Sequence, residues 1–174
     1  MATATGSLVR SLRKLSSTAS SVSPLLGRYN AFPTDLVRVN ASEKVILRDR
    51  ASQQKLGRSS FDIVVHEDGM VHPRPGPNFE GPNGASLRPN NHTMGEIIRN
   101  FRGAHTTIYI IPKGTKLPSD LVLLHEHSDH HSIQPAQPMT LKELNKKLTT
   151  FVQENGEKFS KDQFVAKYPF TGEQ

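Results

Sequence analysis

A segment rich in proline and glycine, RPGPNFEGPNGASLRPNN at residues 74–91, interrupts the middle of the chain. Proline has no amide proton and a fixed φ, and glycine loses more backbone entropy on folding than other residues. Neither a helix nor an inner strand is therefore expected over this stretch. We predict a loop, and its length is typical of a loop that is either functional or disordered. The regular structure must then be built from short elements on either side of it.

Short β-rich runs precede this loop. Residues 28–40, RYNAFPTDLVRVN, and residues 43–49, EKVILRD, are rich in the β-branched and aromatic side chains that favour strands. In residues 61–73, FDIVVHEDGMVHP, two apolar runs lie on either side of Gly69, and glycine readily adopts the positive φ of a tight turn. We predict strands over the first two runs and a β-hairpin over the third.

A helix is predicted directly after the loop. Thr93 and Glu96 have the spacing of a capping box, in which each residue satisfies a free amide of the first helical turn. Ile97, Ile98 and Phe101 form an apolar stripe, and Gly103 provides a C-terminal stop.

The second half of the chain alternates strand and helix signals without a regular repeat. The runs TTIYIIP at 106–112, LVLLHEH at 121–127 and HHSIQPA at 130–136 predict strands. Thr140 and Ser160 each precede an amphipathic stretch and are predicted to begin helices. Because strands and helices do not alternate in βα units, we predict an α+β fold with a mostly antiparallel sheet and two or three flanking helices.

Composition limits the chemistry more than it identifies it. The chain has 174 residues, 34% of them hydrophobic, which fits one domain of ordinary size. It has no cysteine, so disulfides, thiolate metal sites and a cysteine nucleophile are excluded. A net charge of +6 without a long basic run does not predict specific nucleic-acid binding, and no apolar run is long enough to predict membrane insertion.

The N-terminal residues 1–27 differ from the rest of the sequence. They contain many serines and threonines, three basic residues and no acidic residue, which is typical of a mitochondrial transit peptide. The alternative is a disordered basic tail on a cytoplasmic protein. Without these residues the net charge falls from +6 to +3, because 19 basic and 16 acidic residues remain. We predict a leader over residues 1–27, a single domain over residues 28–174 and a mitochondrial location.

Four of the eight histidines lie within residues 125–131. On a strand, His125 and His127 project to the same face and could bind one divalent cation. Strand alternation sends Glu126 to the opposite face, so the third ligand is not defined by the sequence. The spacing matches neither a helical zinc motif nor a zinc finger, and the favoured interpretation is a polar strand edge without a metal.

The loop sequence GPNGAS at residues 81–86 suits close approach of a phosphate or a ribose. Gly84 and Ala85 leave the backbone amides accessible, and Ser86 adds one hydroxyl. The segment lacks the lysine of a P-loop and the spacing of a dinucleotide fingerprint. The alternative is an ordinary surface loop with turn residues.

Three segments together resemble a known family. The run HHSIQPAQPM at residues 130–139 matches a His-x-[Ser/Thr]-Ile-x-Pro-Ala-x-Pro-Met pattern, and DIVVHEDGMVHP and IPKGTKLPSDL match two further segments. Over residues 28–152 the chain resembles the ADP-ribosyltransferase-like toxin domain of type VI secretion effectors of the Tse type and of fungal relatives. The resemblance implies an ADP-ribosyltransferase-like fold with a split, mostly antiparallel sheet.

The resemblance also implies a chemistry and residues that carry it. Such toxins cleave the bond between nicotinamide and ribose in NAD, their substrate, and transfer ADP-ribose to a macromolecular acceptor. Arg28 matches the first-strand arginine, which would bind the pyrophosphate. Gly84, Ala85 and Ser132 would complete the NAD-binding residues. The catalytic candidates are Ser86, His130 and Gln134.

One position departs from the usual pattern of these enzymes. Where a third-motif glutamate is usual, this sequence has Gln134, which can hydrogen-bond a ribose but cannot supply negative charge. Two alternatives to an active transferase therefore remain, a non-catalytic mitochondrial interaction module of the same fold and a metal-binding protein built on His125 and His127. An antitoxin or immunity partner is expected for an active toxin.

Overall fold

A computed structural model describes residues 22–170. The strands are β1 (Gly27–Tyr29), β2 (Leu36–Asn40), β3 (Met70–Val71), β4 (Ala85–Leu87), β5 (Thr107–Ile111), β6 (Leu121–His127), β7 (His130–Pro135), β8 (Met139–Thr140) and β9 (Glu157–Ser160). The helices are α1 (Arg50–Lys55), α2 (His92–Asn100), α3 (Leu141–Asn155) and α4 (Lys161–Lys167). Across residues 22–170, none of the helices has the length and apolar character required to cross a membrane.

The strands form two larger antiparallel sheets. One has the order β1-β6-β7-β4, the other has the order β2-β5-β9, and β3 pairs with β8 separately. The two larger sheets meet where Val37 of β2 and Arg88, just after β4, exchange backbone hydrogen bonds of 2.7 and 3.1 Å. This split antiparallel arrangement with helices packed on it confirms the predicted α+β class.

Two hydrophobic clusters form the core, and both sheets contribute residues to the larger one. The amphipathic face of α3 presents Leu144, Leu148 and Phe151 to the larger cluster, which includes Ile133 of β7. A smaller cluster between α2, α4 and the β2-β5-β9 sheet contains Ile98 and other side chains. Because helices cover both clusters on one side, the polar faces of β4, β6 and β7 are left for a site.

The described residues include the end of the predicted leader. Gly27 pairs with His125 across β1 and β6, and the backbone amide of Leu26 donates to the carbonyl of His125 at 2.8 Å. Most of the predicted leader, residues 1–21, lies outside the described residues.

The predicted strand at residues 43–49 is wrong. This segment is extended, with Val45 and Leu47 buried, but it joins no ladder. The amides of Val45 and Leu47 donate instead to Thr149 Oγ1 and Asn145 Oδ1 of α3, each at 3.0 Å. Helix side chains thus replace the neighbouring strand that the sequence pattern implied.

The predicted hairpin at residues 61–73 is also wrong, although its turn is real. Gly69 has φ of 77° and donates to the carbonyl of His66, as the turn prediction requires. The amide of His66 also donates to the carbonyl of Met70 at 2.9 Å, but the two arms form no ladder beyond this turn, and Met70 and Val71 pair with β8 instead. The preceding arm makes a parallel bridge from Ile63 to the residue before α1. Long-range pairing therefore replaces the local ladder.

Two boundaries in the middle of the chain differ from prediction. Helix α2 begins after Asn91, whose Oδ1 accepts from the amide of Met94 at 3.1 Å, so Asn91 and not Thr93 is the N-cap. The helix ends at Asn100, before the predicted glycine stop. Within the predicted loop, Ala85–Leu87 forms the edge strand β4, where the proline-free part of the segment can pair on one side.

Candidate active site

The sheet register brings Ser86, the serine of the predicted loop, opposite Ser132 of β7. Ser86 of β4 pairs with Ser132 of β7, so the two side chains project from the same face of the sheet. His130 and Gln134 lie two residues on either side of Ser132 along the strand, and alternation puts them on that face too. The structure therefore brings together all three predicted catalytic residues, Ser86, His130 and Gln134.

Glu126 of β6 lies at the centre of these residues. Its Oε1 accepts from Ser132 Oγ at 2.6 Å and from Gln134 Nε2 at 3.0 Å, and its Oε2 lies 2.5 Å from His130 Nδ1. Gln134 Nε2 also donates to Ser132 Oγ at 2.8 Å, and Asn83 donates to Gln134 Oε1 at 3.2 Å. The side chain of Glu126 is 1% exposed. One buried carboxylate is thus held by three side chains of β7.

A cleft of about 250 Å³ lies beside this cluster, and the buried Gln134 is not part of its wall. Ser86, Glu126, His130 and Ser132 form part of its wall. A second cleft of about 360 Å³, lined in part by β2 residues and α2, adjoins it, and Ser86 borders both. The two clefts lie on either side of the β4 edge, where the two sheets meet.

Gly84 and Ala85 have different roles from each other. Gly84 lines the first cleft, and a Cβ atom there would lie 2.1 Å from the carbonyl oxygen of Ile133. Only glycine permits β4 to approach β7 this closely. Ala85 is 1% exposed and belongs to the hydrophobic core, so its side chain does not face the cleft.

A comparison with protein families identifies the chain. The model of the Tse2 ADP-ribosyltransferase toxin family matches residues 34–164. The chain belongs to this family. A comparison with curated proteins finds no match. The match spans both sheets, the clefts and the β6–β7 residues around Glu126, and it agrees with the split antiparallel fold.

The arginines of this Tse2-family chain differ in their relation to the clefts. Arg28, the predicted first-strand arginine, lies before the matched range, and its Nη2 donates to the carbonyls of Arg74 at 3.0 Å and Gly76 at 3.4 Å. Arg38 of β2 borders the second cleft, and its Nη1 donates to the carbonyl of Ser86 at 2.9 Å. Arg38, in the β2-β5-β9 sheet, therefore contacts the strand that carries Ser86.

Burial and neighbouring charges act strongly on two groups at this junction. Burial lowers the pKa of Arg38 to about 10, and the carboxylate of Asp62 opposes this shift only in part. Burial raises the pKa of Asp62, but hydrogen bonds from Arg48 outweigh it and hold that pKa below its usual value. Arg48 forms a two-point contact with Asp62, with Nε–Oδ2 2.9 Å and Nη2–Oδ1 2.8 Å. The carboxylate of Asp62, which borders the second cleft, is therefore already paired with Arg48.

The histidine-rich turn separates the two predicted metal ligands. His125 contacts the carbonyl of Ser128 through Nε2 at 2.6 Å and stacks on His131, whereas a strand irregularity turns His127 towards the cleft. The ligand atoms of Glu126, His127 and His130 instead lie within 4.8 Å of one another.

The rings of His127 and His130 are stacked, with centroids 5.1 Å apart and an angle of 11°. Imidazole lone pairs lie in the ring plane, so two parallel rings direct them side by side and not at one ion. One ring would have to rotate before both could bind the same metal. Asp129 is engaged elsewhere, in an ion pair with Arg88 and a hydrogen bond from Asn91.

Glu126, Arg38 and Asn83 are site residues that sequence reasoning missed. A signal for Glu126 was present, because strand alternation already placed it on the face opposite His125 and His127. In the paired strand β7, Ser132 projects from this same face of the sheet and contacts Glu126. The signal could not be used without the β6–β7 register, which sets which face of each strand meets the other.

Proposed function

We propose that this Tse2-family domain binds NAD across the two clefts, cleaves the bond between nicotinamide and ribose, and transfers ADP-ribose to a macromolecular acceptor. The observation that carries the proposal is the buried Glu126 carboxylate among Ser132, Gln134 and His130. It offers the negative charge that Gln134 cannot supply. A glutamate from β6 can thus take the role that related enzymes give to a glutamate of the following strand.

The chemistry needs a negative group near the reacting ribose. As the C1′–N bond breaks, the bonding electron pair leaves with nicotinamide and positive charge develops on the ribose, which a fixed carboxylate stabilises. The acceptor's nucleophilic atom then forms the new bond to C1′ and releases its proton. We assign charge stabilisation to Glu126, ribose hydrogen bonding to Ser86, positioning of the Glu126 carboxylate to Gln134, and proton acceptance to His130, which borders the cleft.

The dimensions of the site support a dinucleotide substrate. Ligand pockets usually measure about 300–1,000 Å³. The adjoining clefts measure about 250 and 360 Å³, so they lie well within that range only when one ligand occupies both. Ser86 borders both clefts and so connects them. We assign the nicotinamide ribose to the cleft beside Glu126 and the rest of NAD to the cleft beside Arg38.

The experiment measures NAD turnover by the purified full chain, with water as the acceptor, because the natural acceptor is not defined. Release of nicotinamide is followed by chromatography, and growth arrest on expression is scored in parallel. Ser86→Ala is expected to lower turnover, whereas Ser119→Ala, at an exposed turn position, is the matched control.

The outcomes distinguish an active transferase from a non-catalytic interaction module of the same fold. No nicotinamide release and no NAD binding by the folded wild-type chain would refute the transferase proposal. Growth arrest that persists equally in the Ser86→Ala protein would then favour the non-catalytic interaction module. If the protein is toxic through catalysis, its toxicity and its NAD turnover fall together. A mitochondrial location would be tested separately by imaging the full chain with and without residues 1–27.

A further inference from the structure

Asn40, at the end of β2, has a buried donor without a partner. Among residues 22–170, its Nδ2 is the one buried side-chain polar atom that lacks a hydrogen bond. The residue is 4% exposed and borders the second cleft. A buried donor left unpaired costs about 1–3 kcal/mol, and native proteins have few of them. Such a donor beside a cleft indicates a group that accepts from it when a ligand is bound.

The orientation of the Asn40 amide is determined by Arg38. Arg38 Nε donates to Asn40 Oδ1 at 2.9 Å. An arginine side chain has donors only, so the atom that faces it must be the amide oxygen. A flipped amide would oppose two donors. Nδ2 is consequently the atom left over, on the side of the residue that Arg38 does not occupy.

The charge of this cleft favours an anionic acceptor. Arg48 and Arg88 are each paired with an aspartate, Asp62 and Asp129 respectively. Arg38 forms no ion pair with a carboxylate in the described part of the chain, and burial lowers its pKa to about 10. Arg38 is half-buried, and its nearby carboxylate, that of Asp62, is already bound by Arg48. A cation of this kind next to an unpaired amide donor favours an oxygen that carries negative charge.

We infer that Asn40 is a specificity-determining residue that donates from Nδ2 to a phosphate oxygen of the dinucleotide while its Oδ1 orients Arg38 toward the same pyrophosphate. This inference rests on the proposed function. In the free protein Asn40 thus carries an unpaired donor, and substrate binding satisfies it. A ligand that lacks the pyrophosphate gains nothing from this residue.

Binding of ADP, measured by calorimetry on the full chain, tests the inference without requiring catalysis. ADP carries a pyrophosphate but no nicotinamide ribose. Asn40→Asp keeps the shape and the acceptor for Arg38, and it replaces the donor by a negatively charged oxygen. We expect ADP affinity to fall by about tenfold or more, as the loss of a charge-assisted hydrogen bond predicts. Asn90→Asp, which makes the same charge change at an exposed position, is the matched control and should bind as wild type.

Kinetics and a second variant keep the test decisive. Asn40→Asp should raise KM for NAD far more than it lowers kcat, and Asn40→Ser, which retains a short donor, should lose less ADP affinity. If Asn40→Asp does not fold, as judged by thermal unfolding, Asn40→Ser alone carries the comparison. ADP affinities of both variants within twofold of wild type would overturn the inference, as would a wild-type chain that does not bind ADP.

The inference and the proposed function can fail separately. Wild-type binding of ADP that is lost in Asn40→Asp, without any NAD turnover, supports the phosphate contact and refutes the transferase. NAD turnover with unchanged ADP affinity in the Asn40 variants supports the transferase and overturns the role of Asn40.

Discussion

Replacing Glu126 by glutamine is expected to abolish most of the activity and to leave the fold intact. Glutamine has the same shape as glutamate, and its amide oxygen can still accept from Ser132 and Gln134, which now donate to Oε1 at 2.6 and 3.0 Å. Its amide nitrogen would take the place of Oε2 and donate to His130 Nδ1, now 2.5 Å away. The number of hydrogen bonds is unchanged, but the negative charge is lost and the bond to His130 reverses, so that the ring proton moves from Nδ1 to Nε2.

The expected magnitudes follow from that accounting. With every partner retained, the free energy of unfolding should change by no more than about 1 kcal/mol, the usual net value of one hydrogen bond. Removing a preorganised electrostatic group typically lowers kcat by about 10²–10³. Since the charge acts on the developing positive ribose and not on bound NAD, KM should change little. Glu126→Ala, in contrast, leaves Ser132 and Gln134 with one partner fewer and should cost about 1–3 kcal/mol for each.

The assay is nicotinamide release at saturating NAD, with thermal unfolding of the same samples. Glu67→Gln makes the identical charge change in an exposed turn and is the matched control. A folded Glu126→Gln protein whose kcat lies within twofold of wild type would refute the role assigned to Glu126. A variant that loses activity together with its cooperative unfolding transition would show instead that the carboxylate is needed for the fold.

Three further outcomes are expected. Gly84→Ala should destabilise the domain by about 2 kcal/mol or more, since the new methyl group overlaps a fixed backbone carbonyl at 2.1 Å, that of Ile133, and urea unfolding measures the loss. Thr140→Ala should cost about 1 kcal/mol by removing the N-cap of α3, whose hydroxyl accepts from the first turn; an unchanged unfolding midpoint would contradict this. Asp62 has a lowered pKa, so its bond to Arg48 contributes stability above the unfolded-state pKa of roughly 3.9 and loses it as the pH falls further. Asp62→Asn should therefore flatten the acid side of the stability curve, by about 1 kcal/mol or less because Arg48 is half exposed.

Local signals predicted several elements correctly. Strand β6 spans the predicted residues 121–127, and α3 and α4 begin after Thr140 and Ser160 as their capping residues indicated. Alternation along 130–135 correctly put Ile133 in the core and its neighbours on the other face. These features depend on residues close together in the chain, so the sequence pattern contains them directly.

Predictions failed where a distant partner competed with a local one. The segment at 43–49 has the pattern of a strand, but its amides are satisfied by side chains of α3 about 100 residues later. The arms around Gly69 have the pattern of a hairpin, but Met70 and Val71 find a better partner in β8. Backbone amides need a hydrogen-bonding partner when buried, and the sequence does not say which partner is available.

The sequence by itself determined the fold class, the strand carrying His130, Ser132 and Gln134, and the resemblance to a toxin family, because periodicity and motif are properties of neighbouring residues. Tertiary structure decided where the glutamate comes from. The motif strand has Gln134, and β6 brings Glu126 against it across the β6–β7 hairpin, whose register includes an irregularity between His125 and His127 that strict strand alternation does not predict. The tertiary structure also decided the contact between Arg38 and Ser86. These residues lie 48 positions apart in the chain and meet because the two sheets touch. Chemistry at this site depends on pairing between strands, and that pairing is determined only when the whole domain buries its core.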